Sequence, residues 1–571
     1  MSKERTEKID KAERVGEFLL RRLCEVGLAD IFGVAGDFNL ELLEQIENTE
    51  GLRWLGCCNE LNAAYAADGY ARTHGLSALI TTYGVGELSA LCGVAGAYSE
   101  HVPVISIVGA APLSEIERRG LLHHTAGDGD YVNMMTCGRQ FSVAQARLTP
   151  QNAVAEIDRC LRMCILHKKP VYLQLPSDIA NLKIATPPEP LRVDFQSDPQ
   201  MLSQFVAEAT QRIATSSSIA ILVDADVARY RQAEVIRDLA AKLSCPIAVM
   251  GTAKGVIDET DPAYIGVYAG AFSKPYVRST IENAECLIQL AVRFVDSTTG
   301  SFSQRIHPQH SISIEAWGAQ IDGGDYQGIC MRDTIAHLLT SVPGRSSGFS
   351  TKENNKSDAA PAKELTQAWF WKRMEQCLRE GDVVIAENGT ALSGTTGLRL
   401  PARTDVIYQA LWGSIGYSLP ATFGSLMAAP DRRHVLFIGD GSFQLTAQEL
   451  SSILRHNLQP IIFLINNDGY TMERVILGEN SSYNDIQPWK YAALCDVFAA
   501  GAAFESRTVT TVDEMEDALQ SAAKGGKCFF IEIMMPRMDA PASLKKLGPI
   551  YATQDYGKSW ELENDTQANP Q

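Results

Sequence analysis

The chain has 571 residues, of which 45% are hydrophobic, and it carries a formal net charge of −17 at pH 7. This length and apolar content predict several domains, each with its own core, whereas the negative charge excludes an electrostatic surface for nucleic acid. No run of roughly 18 apolar residues occurs, which excludes a transmembrane helix, and the charged N-terminus lacks the apolar segment of a signal peptide. Since the 13 cysteines are scattered, we expect a reduced, cytoplasmic protein with neither a membrane nor a nucleic acid as its partner.

Residues 1–190 alternate short apolar segments with helical patterns, and we predict that they form the first domain. Such alternation is typical of an α/β domain with a doubly wound parallel sheet, in which ligands bind at the carboxyl ends of the strands. The predicted strands are Ile31–Gly36, Ala78–Thr82, Val104–Val108 and Val171–Leu175, and the predicted helices are Leu40–Glu47, Glu60–Arg72 and Ala153–His167.

Three features of this domain are candidates for chemistry. Asp37 directly follows a strand and is either a functional carboxylate or a helix N-cap. Glu60 is flanked by small and apolar residues, so we expect its carboxyl group to be buried, with a plain capping carboxylate as the alternative. His123 and His124 are adjacent and cannot both face one metal ion from a regular helix, so we interpret them as acid–base or hydrogen-bonding groups. The alternative is a pair of exposed loop histidines.

Residues 195–345 show a second α/β pattern and form the predicted middle domain. Its predicted strands are Ile219–Asp224, Ile247–Gly251, Cys286–Leu290 and Ile312–Ile314. No phosphate-binding loop of recognisable spacing occurs there, so we expect a structural or regulatory domain without a nucleotide site. Residues 346–360 are polar and rich in serine and asparagine, a composition that predicts a flexible linker.

Residues 361–550 form the third predicted α/β domain, which begins with a helix opened by Pro361 and is followed by a polar tail at residues 551–571. Its predicted strands are Asp382–Ala386, Asp405–Tyr408, the two apolar runs that start at His434 and Ile461, and Cys528–Ile533. The glycines of the loop Trp412–Tyr417 would let a flat ring approach the backbone closely.

Two strands of the third domain end in residues with oxygen ligands. The first delivers Asp440 between two glycines, and the second delivers Asn467 and the carbonyl group of Gly469. This sparse set of hard oxygen atoms suits Mg²⁺ when phosphate oxygens complete its octahedron. A helix predicted over Ser442–Asn457 would direct backbone N–H groups at the same phosphates. The alternative is a turn that merely closes a strand.

With these motifs, the sequence resembles the thiamine diphosphate-dependent 2-oxo acid decarboxylases, the family of pyruvate and indolepyruvate decarboxylases, and most of all the yeast and fungal type. The matching segments are Gly36–Asn39, Asn59–Arg72, Gly84–Ala90, Leu122–Thr125, Gly439–Ser442 and Asn466–Glu473. The resemblance implies three α/β domains (pyrimidine-binding, middle and diphosphate-binding) with thiamine diphosphate and Mg²⁺ as cofactors. It also implies that Asp440, Asn467 and the Gly469 carbonyl hold the metal.

The resemblance further implies a role for each matching residue. Glu60 would bond N1′ of the cofactor's aminopyrimidine, the Gly413 carbonyl would bond its 4′-amino group, and Ile415 would hold the cofactor bent. Asp37, His123 and His124 would serve proton transfer around the bound 2-oxo acid. Glu473 would act on the substrate carboxylate and the later intermediates. The remaining cofactor-binding residues would be Thr390, Asp440, Gly441, Ser442 and Asn467.

The function implied is non-oxidative decarboxylation of a small 2-oxo acid to an aldehyde and CO2. Pyruvate is the leading substrate, but Ser297 stands where a pyruvate enzyme of the yeast type would have phenylalanine, and Leu392 is expected near the cofactor. Phenylpyruvate and indolepyruvate are therefore the alternative substrates. An acetolactate-synthase-like carboligase and a non-catalytic scaffold are more distant possibilities. The resemblance also implies a homodimer or a dimer of dimers (a homotetramer), in which the first domain of one subunit and the third domain of its partner enclose each cofactor.

Overall fold

The computed structural model describes residues 11–346, 364–499 and 501–556. They cluster into two compact units, one within residues 1–194 and 423–429 and the other within residues 195–422 and 430–571. Most of the predicted linker, Pro361 and the end of the predicted tail lie outside the described residues. The limits of the predicted domains stay a prediction.

The first unit is built on a parallel six-stranded sheet in the order β3-β2-β4-β5-β7-β6, beside a small antiparallel pair, β1-β8. Its strands are β1 (Lys11–Arg14), β2 (Asp30–Gly33), β3 (Arg53–Gly56), β4 (Ser77–Thr82), β5 (Val104–Ala110), β6 (Gln145–Arg147), β7 (Val171–Pro176) and β8 (Lys183–Thr186). Its helices are α1 (Val15–Glu25), α2 (Leu40–Glu47), α3 (Glu60–His74), α4 (Val85–Ser99), α5 (Leu113–Arg118), α6 (Asn133–Arg139), α7 (Ala153–His167) and α8 (Ser177–Ala180).

Local signals explain these elements. Strands β4, β5 and β7 are buried along their whole length, as expected for central parallel strands that are covered on both faces. Helix α3 begins after Asn59, whose side chain accepts a hydrogen bond from the Asn62 amide, and ends at Gly75, which adopts a φ of 108°. The sheet therefore places the starts of α2 and α3 beyond the carboxyl ends of β2 and β3.

The second unit contains two sheets. The middle sheet has the order β11-β10-β9-β12-β13-β14-β15 and is parallel from β11 to β13, whereas β14 and β15 extend it with antiparallel pairing. Its strands are β9 (Ile219–Val223), β10 (Ile247–Met250), β11 (Tyr264–Tyr268), β12 (Cys286–Leu290), β13 (Ser311–Glu315), β14 (Gly318–Ile321) and β15 (Gly324–Gln327). Its helices are α9 (Pro199–Thr215), α10 (Asp226–Arg229), α11 (Ala233–Leu243), α12 (Pro275–Glu282), α13 (Asp296–Thr299) and α14 (Met331–Ser341).

The last sheet is parallel, in the order β17-β16-β18-β19-β21-β20. Its strands are β16 (Val383–Ala386), β17 (Asp405–Ile407), β18 (His434–Gly439), β19 (Ile461–Asn466), β20 (Phe504–Val509) and β21 (Cys528–Met534). The helices of this part of the chain are α15 (Gln367–Cys377), α16 (Thr390–Gly397), α17 (Ser418–Ala428), α18 (Asp440–Thr446), α19 (Leu450–Arg455), α20 (Thr471–Ile476), α21 (Leu494–Phe498), α22 (Val512–Ala522) and α23 (Ala542–Tyr556).

The three mostly parallel sheets flanked by helices confirm the predicted α/β class. The single helix expected over Ser442–Asn457 is wrong, because the chain forms α18, a 3₁₀ turn at Ala447–Glu449 and then α19. The break follows from Thr446, whose φ of −138° leaves the helical region while its hydroxyl donates to the Gly416 carbonyl. Among the residues described, we find no helix with the length and apolar character needed to span a membrane.

Candidate active site

Asp37, His123 and His124 form one cluster in the first unit. Asp37 lies in the loop between β2 and α2, where the Asn39 side chain accepts from the Gly36 amide at 3.0 Å and donates to the Val34 carbonyl at 3.1 Å. Asp37 Oδ2 lies 2.5 Å from His123 Nε2, and Asp37 Oδ1 lies 3.6 Å from His124 Nε2. The loop thus presents both oxygens of one carboxylate to two imidazoles, which suits proton transfer.

The two histidines occupy a turn, not a helix, and the turn has firm support. His124 has a φ of 63°, and the Thr125 hydroxyl donates to the Leu122 carbonyl at 2.6 Å. The Phe38 ring stacks on the His123 ring, with centroids 4.9 Å apart. A Cβ atom at Gly84 would lie 1.9 Å from the His124 carbonyl oxygen, so only glycine allows this close approach.

Glu60 is the first residue of α3, and the structure places it near the same turn. A Cβ atom at Gly86 would lie 3.3 Å from Glu60 Oε1, so the segment from Gly84 to Gly86 lies close to both Glu60 and His124. The expectation that Glu60 is buried is wrong for the single chain, in which it is partly exposed. The reason is its place at the N-terminus of α3, where the helix leaves the carboxyl edge of the sheet.

Glu87 lies behind this turn and was missed in the sequence. It is buried, and its carboxylate accepts from the Gly84 amide at 2.9 Å and from the Tyr172 hydroxyl at 2.8 Å. Burial raises the pKa of Glu87 to about 7. Glu87 therefore fixes the conformation of Gly84, on which the histidine turn packs. Its position three residues after the glycine that precedes α4, inside the motif at Gly84–Ala90, was the available signal, because a carboxylate there can accept from the amide that precedes the helix.

The oxygen residues of the second unit meet at the ends of β18 and β19. Asp440 is 1% exposed, and its two carboxylate oxygens accept from the Gly441 and Gly469 amides at 2.9 Å each. Burial raises the pKa of Asp440 to about 6, although these hydrogen bonds oppose the rise. A buried carboxylate of this kind is stabilised in its charged form by a nearby cation.

The amide of Asn467 shows that the site fits a cation. Thr471 has a single hydroxyl hydrogen, which it donates to the Arg537 carbonyl at 2.8 Å, so its oxygen is left to accept from the Asn467 amide nitrogen 3.0 Å away. The Asn467 oxygen then faces the Gly469 carbonyl oxygen at 3.0 Å and an Asp440 oxygen at 3.2 Å. Three acceptors at this spacing repel one another, whereas neighbouring ligands of an octahedral Mg²⁺ are about 3.0 Å apart.

Arg474 holds the loop that carries these oxygens, and sequence reasoning missed it. Its guanidinium is buried and donates to the carbonyl groups of Asp468 at 2.5 Å and Asn484 at 3.1 Å. Gly469 adopts a φ of 114° beside it. The neighbouring Glu473, on the short helix α20, is exposed in the single chain.

A second missed residue, Glu387, organises the glycine-rich loop. It follows β16 and is fully buried, and one carboxylate oxygen accepts from the Gly416 amide at 3.1 Å and from the Ser418 hydroxyl at 2.8 Å. Burial raises the pKa of Glu387 to about 7. The sequence signal for this residue was a carboxylate that directly follows four apolar strand residues. The loop that it holds presents Gly413, with a φ of 66°, and the exposed side chain of Ile415.

The remaining predicted residues occupy the second unit. Thr390 is buried at the start of α16, Leu392 is partly buried on the same helix, and Ser442 is buried in α18. Ser297, on α13, is exposed, and its hydroxyl donates to the Ala410 carbonyl at 2.9 Å. Ser297 therefore contacts the segment that leads into the loop at Gly413.

Three parts of the chain match the domain families of thiamine pyrophosphate enzymes. These are the N-terminal thiamine pyrophosphate-binding domain (residues 13–134), the central domain (206–332) and the C-terminal thiamine pyrophosphate-binding domain (392–533). The chain is 40% identical over 547 residues to a pyruvate decarboxylase of Candida glabrata, covering 93% of this chain and 96% of that protein. It is also 40% identical to an alpha-keto-acid decarboxylase of Mycolicibacterium paratuberculosis, with 94% and 96% covered. A pyruvate decarboxylase of Kluyveromyces lactis is 39% identical, with 94% and 98% covered.

Proposed function

Because the chain belongs to the thiamine diphosphate-dependent 2-oxo acid decarboxylases, we propose that this carboxy-lyase converts pyruvate to acetaldehyde and CO2 with Mg²⁺ as its metal. The observation that carries the proposal is the contact of Asp37 with His123 and His124. The family resemblance implies that a pair of histidines at this place indicates a decarboxylase and not a carboligating synthase.

The proposed metal ligands are Asp440, Asn467 and the Gly469 carbonyl, since their oxygens already converge. Thr390, Gly441 and Ser442 would bind the diphosphate. When bound, thiamine diphosphate supplies a nucleophilic ring carbon and an electron sink for cleavage of the bond to the carboxylate. Mg²⁺ would neutralise the diphosphate and the buried charge of Asp440.

Three further residues would orient the cofactor ring. The Glu60 carboxyl would bond N1′, the Gly413 carbonyl would accept from the 4′-amino group, and Ile415 would press an apolar surface against the ring. Support comes from the conformation of the loop, in which Glu387 bonds the Gly416 amide. A buried anchor of this kind holds the loop that contains Gly413 in a defined conformation, which would reduce the reorganisation needed for catalysis.

The proton-transfer roles would belong to the Asp37 cluster and Glu473. Loss of CO2 from a 2-oxo acid leaves an electron pair on the former carbonyl carbon, and release of an aldehyde requires one proton there. In the single chain the side chains of the cluster are partly or well exposed, so water can deliver protons to the imidazoles. Glu473 would act on the substrate carboxylate.

Substrate size gives a second candidate function. Ser297 is small and hydrogen-bonds to Ala410, so it leaves more room than phenylalanine at that place. If it lines the cavity, phenylpyruvate or indolepyruvate would fit. Two more distant candidates are an acetolactate-synthase-like carboligase and a non-catalytic scaffold.

Product analysis tests these candidates. We expect the chain, supplied with thiamine diphosphate and Mg²⁺, to release CO2 from pyruvate with an equal amount of acetaldehyde. Acetolactate as the main product would indicate the carboligase, and no turnover of any 2-oxo acid would indicate the scaffold. A larger kcat/KM for phenylpyruvate or indolepyruvate than for pyruvate would reverse the choice of substrate.

The family resemblance also favours a homodimer or a dimer of dimers, in which two copies contribute to each cofactor site. A mixed dimer of Glu60→Ala and Asp440→Ala subunits, isolated through two different affinity tags, tests this assembly. One of its two sites would carry both lesions and the other neither, so about half of the activity should return. A folded, doubly tagged dimer with no activity would contradict the shared arrangement.

A further inference from the structure

We propose that Asp37, His123 and His124 form a binding site for a transition-metal dication, for which Zn²⁺ is the probe, and that this ion inhibits the enzyme. The nitrogen and oxygen ligand atoms of the three side chains lie within 4.8 Å of one another. Zinc binding needs only these three side chains. The inhibition rests on the proposed function, in which the same cluster transfers protons.

The geometry of the turn lets two adjacent histidines face the same point, which a regular helix would not allow. Adjacent histidines on a regular helix diverge, but here His124 adopts a left-handed backbone conformation, with a φ of 63°. Both Nε2 atoms consequently reach Asp37, at 2.5 Å and 3.6 Å from its two oxygens. Ligands of a tetrahedral zinc ion are about 3.4 Å apart, and the separations of these ligand atoms, from 2.5 Å to within 4.8 Å, bracket that value.

The cluster is accessible and already ordered. In the single chain, the side chains of His123, Asp37 and His124 are 58%, 47% and 32% exposed, so a solvated ion can reach their ligand atoms. Stacking on Phe38 orients the His123 ring, and the close contact with Gly84 fixes the backbone of His124. Little conformational freedom remains to be lost on binding, which favours affinity.

The ligand set distinguishes this site from the oxygen site at Asp440. Two imidazole nitrogens and one carboxylate favour Zn²⁺ over Mg²⁺, whereas the carboxylate, amide and carbonyl oxygens of Asp440, Asn467 and Gly469 favour Mg²⁺. Three protein ligands also leave one position of a tetrahedral ion for water or a substrate carboxylate. The ion would occupy the lone pairs that proton transfer requires and release any proton held there, so the turnover rate would fall.

Binding is tested directly, with no need for activity. Zn²⁺ is titrated calorimetrically into the full-length chain in the presence of saturating Mg²⁺ and thiamine diphosphate, and Co²⁺ reports the geometry of the site through its visible absorption. We expect one strong site per chain, and at least a tenfold weaker affinity in His124→Gln and in Asp37→Ala. Circular dichroism checks that these variants, which change exposed side chains, remain folded.

Two control variants separate this site from others. His310→Gln alters a histidine whose ring lies 5.7 Å from that of His307, a pair that belongs to no three-ligand cluster among the described residues. Asp440→Ala alters the oxygen site. This variant and the unmodified chain are both measured without thiamine diphosphate. Both should bind Zn²⁺ within twofold of the unmodified chain. Unchanged affinity in His124→Gln and Asp37→Ala would overturn the proposal.

Inhibition is then measured at fixed Mg²⁺. Zn²⁺ should reduce pyruvate turnover at the concentration at which it binds, and a chelator should restore the rate. An active enzyme that lacks the strong zinc site would refute this inference while leaving the proposed function intact. Zinc binding that requires the three residues but leaves turnover unchanged would instead refute their proposed catalytic role and, with it, the inhibition.

Discussion

The Asp37 cluster and the Asp440 site are both built at the carboxyl ends of parallel strands, yet their surroundings differ. The first is solvent-exposed, and its carboxylate contacts two imidazoles. The second is buried, and its carboxylate is held by backbone amides beside oxygens that face one another. Exposed side chains can exchange protons with water. A buried carboxylate is cut off from water, so a nearby cation favours its charged form. The same edge of a sheet thus presents a carboxylate to two imidazoles in one unit and buries a carboxylate among oxygen atoms in the other.

The largest effect should come from Asp440→Ala, because this change removes the carboxylate of the buried site. We expect calorimetric affinity for thiamine diphosphate with Mg²⁺ to fall by at least about 100-fold, near 3 kcal/mol, and activity to disappear while the chain stays folded. Asp468→Asn is the matched control, since Asp468 is exposed and asparagine tolerates its φ of 57°. Undiminished binding by folded Asp440→Ala would disprove the assignment.

Asp37→Asn and His124→Gln should show the opposite pattern, because in the proposed function the cluster acts on protons and does not hold the cofactor. We expect kcat for pyruvate to fall by roughly 10²–10⁴-fold, with cofactor affinity within twofold of the unmodified chain. The control is His310→Gln, which should leave both values unchanged. Parallel losses of cofactor affinity and of kcat would mean that the cluster supports cofactor binding instead.

Glu387→Gln tests what burial does to a carboxyl group. The pKa of Glu387 is raised by burial from its usual 4.5 to about 7, so its contribution to stability is complete below about pH 4.5 and is lost as the pH rises through about 7. Glutamine has no proton to lose in this range, so the stability of the variant does not fall with pH for this reason. Relative to the unmodified chain, the variant should therefore gain on the order of 3 kcal/mol in unfolding free energy between pH 5 and pH 8.

Urea denaturation across that pH range measures the difference for Glu387→Gln, with both proteins in the same cofactor condition. Glu479→Gln, which changes an exposed side chain, is the control and should show no pH-dependent difference. A constant gap between Glu387→Gln and the unmodified chain would show that the carboxyl group does not titrate within the range.

The smallest effect concerns Ser297. Ser297→Phe should lower kcat/KM for phenylpyruvate relative to pyruvate by roughly tenfold, since a ring in the cavity excludes another ring more strongly than a single methylene would. Ser297→Ala removes the hydrogen bond to Ala410 without adding bulk, so it should leave the ratio unchanged. If both variants change the ratio alike, the hydrogen bond determines selectivity and the size of the side chain does not.

Much of the fold was predictable because its signals are local. Alternating apolar strands and helices predicted three α/β sheets, and the bounds of α2 and α7 agree with the structure at both ends. The turn residues after β18 and β19 placed Asp440 and Asn467 together, since neighbouring parallel strands end at one edge. Strand β11 and the antiparallel pair β14 and β15 went unpredicted, because short strands on half-buried edges lack a long apolar run.

The sequence by itself determined the sheets, the strand ends and the types of residue that they carry. Only the tertiary structure decided which side chains meet and how deeply each is buried. His123 reaches Asp37 because the chain folds back over Gly84, and neither residue predicts the other. Glu387 is fully buried whereas Glu60 is partly exposed, although both lie beside apolar residues in the chain. Burial depends on what other segments pack against a residue, and such long-range packing leaves little trace in its immediate neighbours.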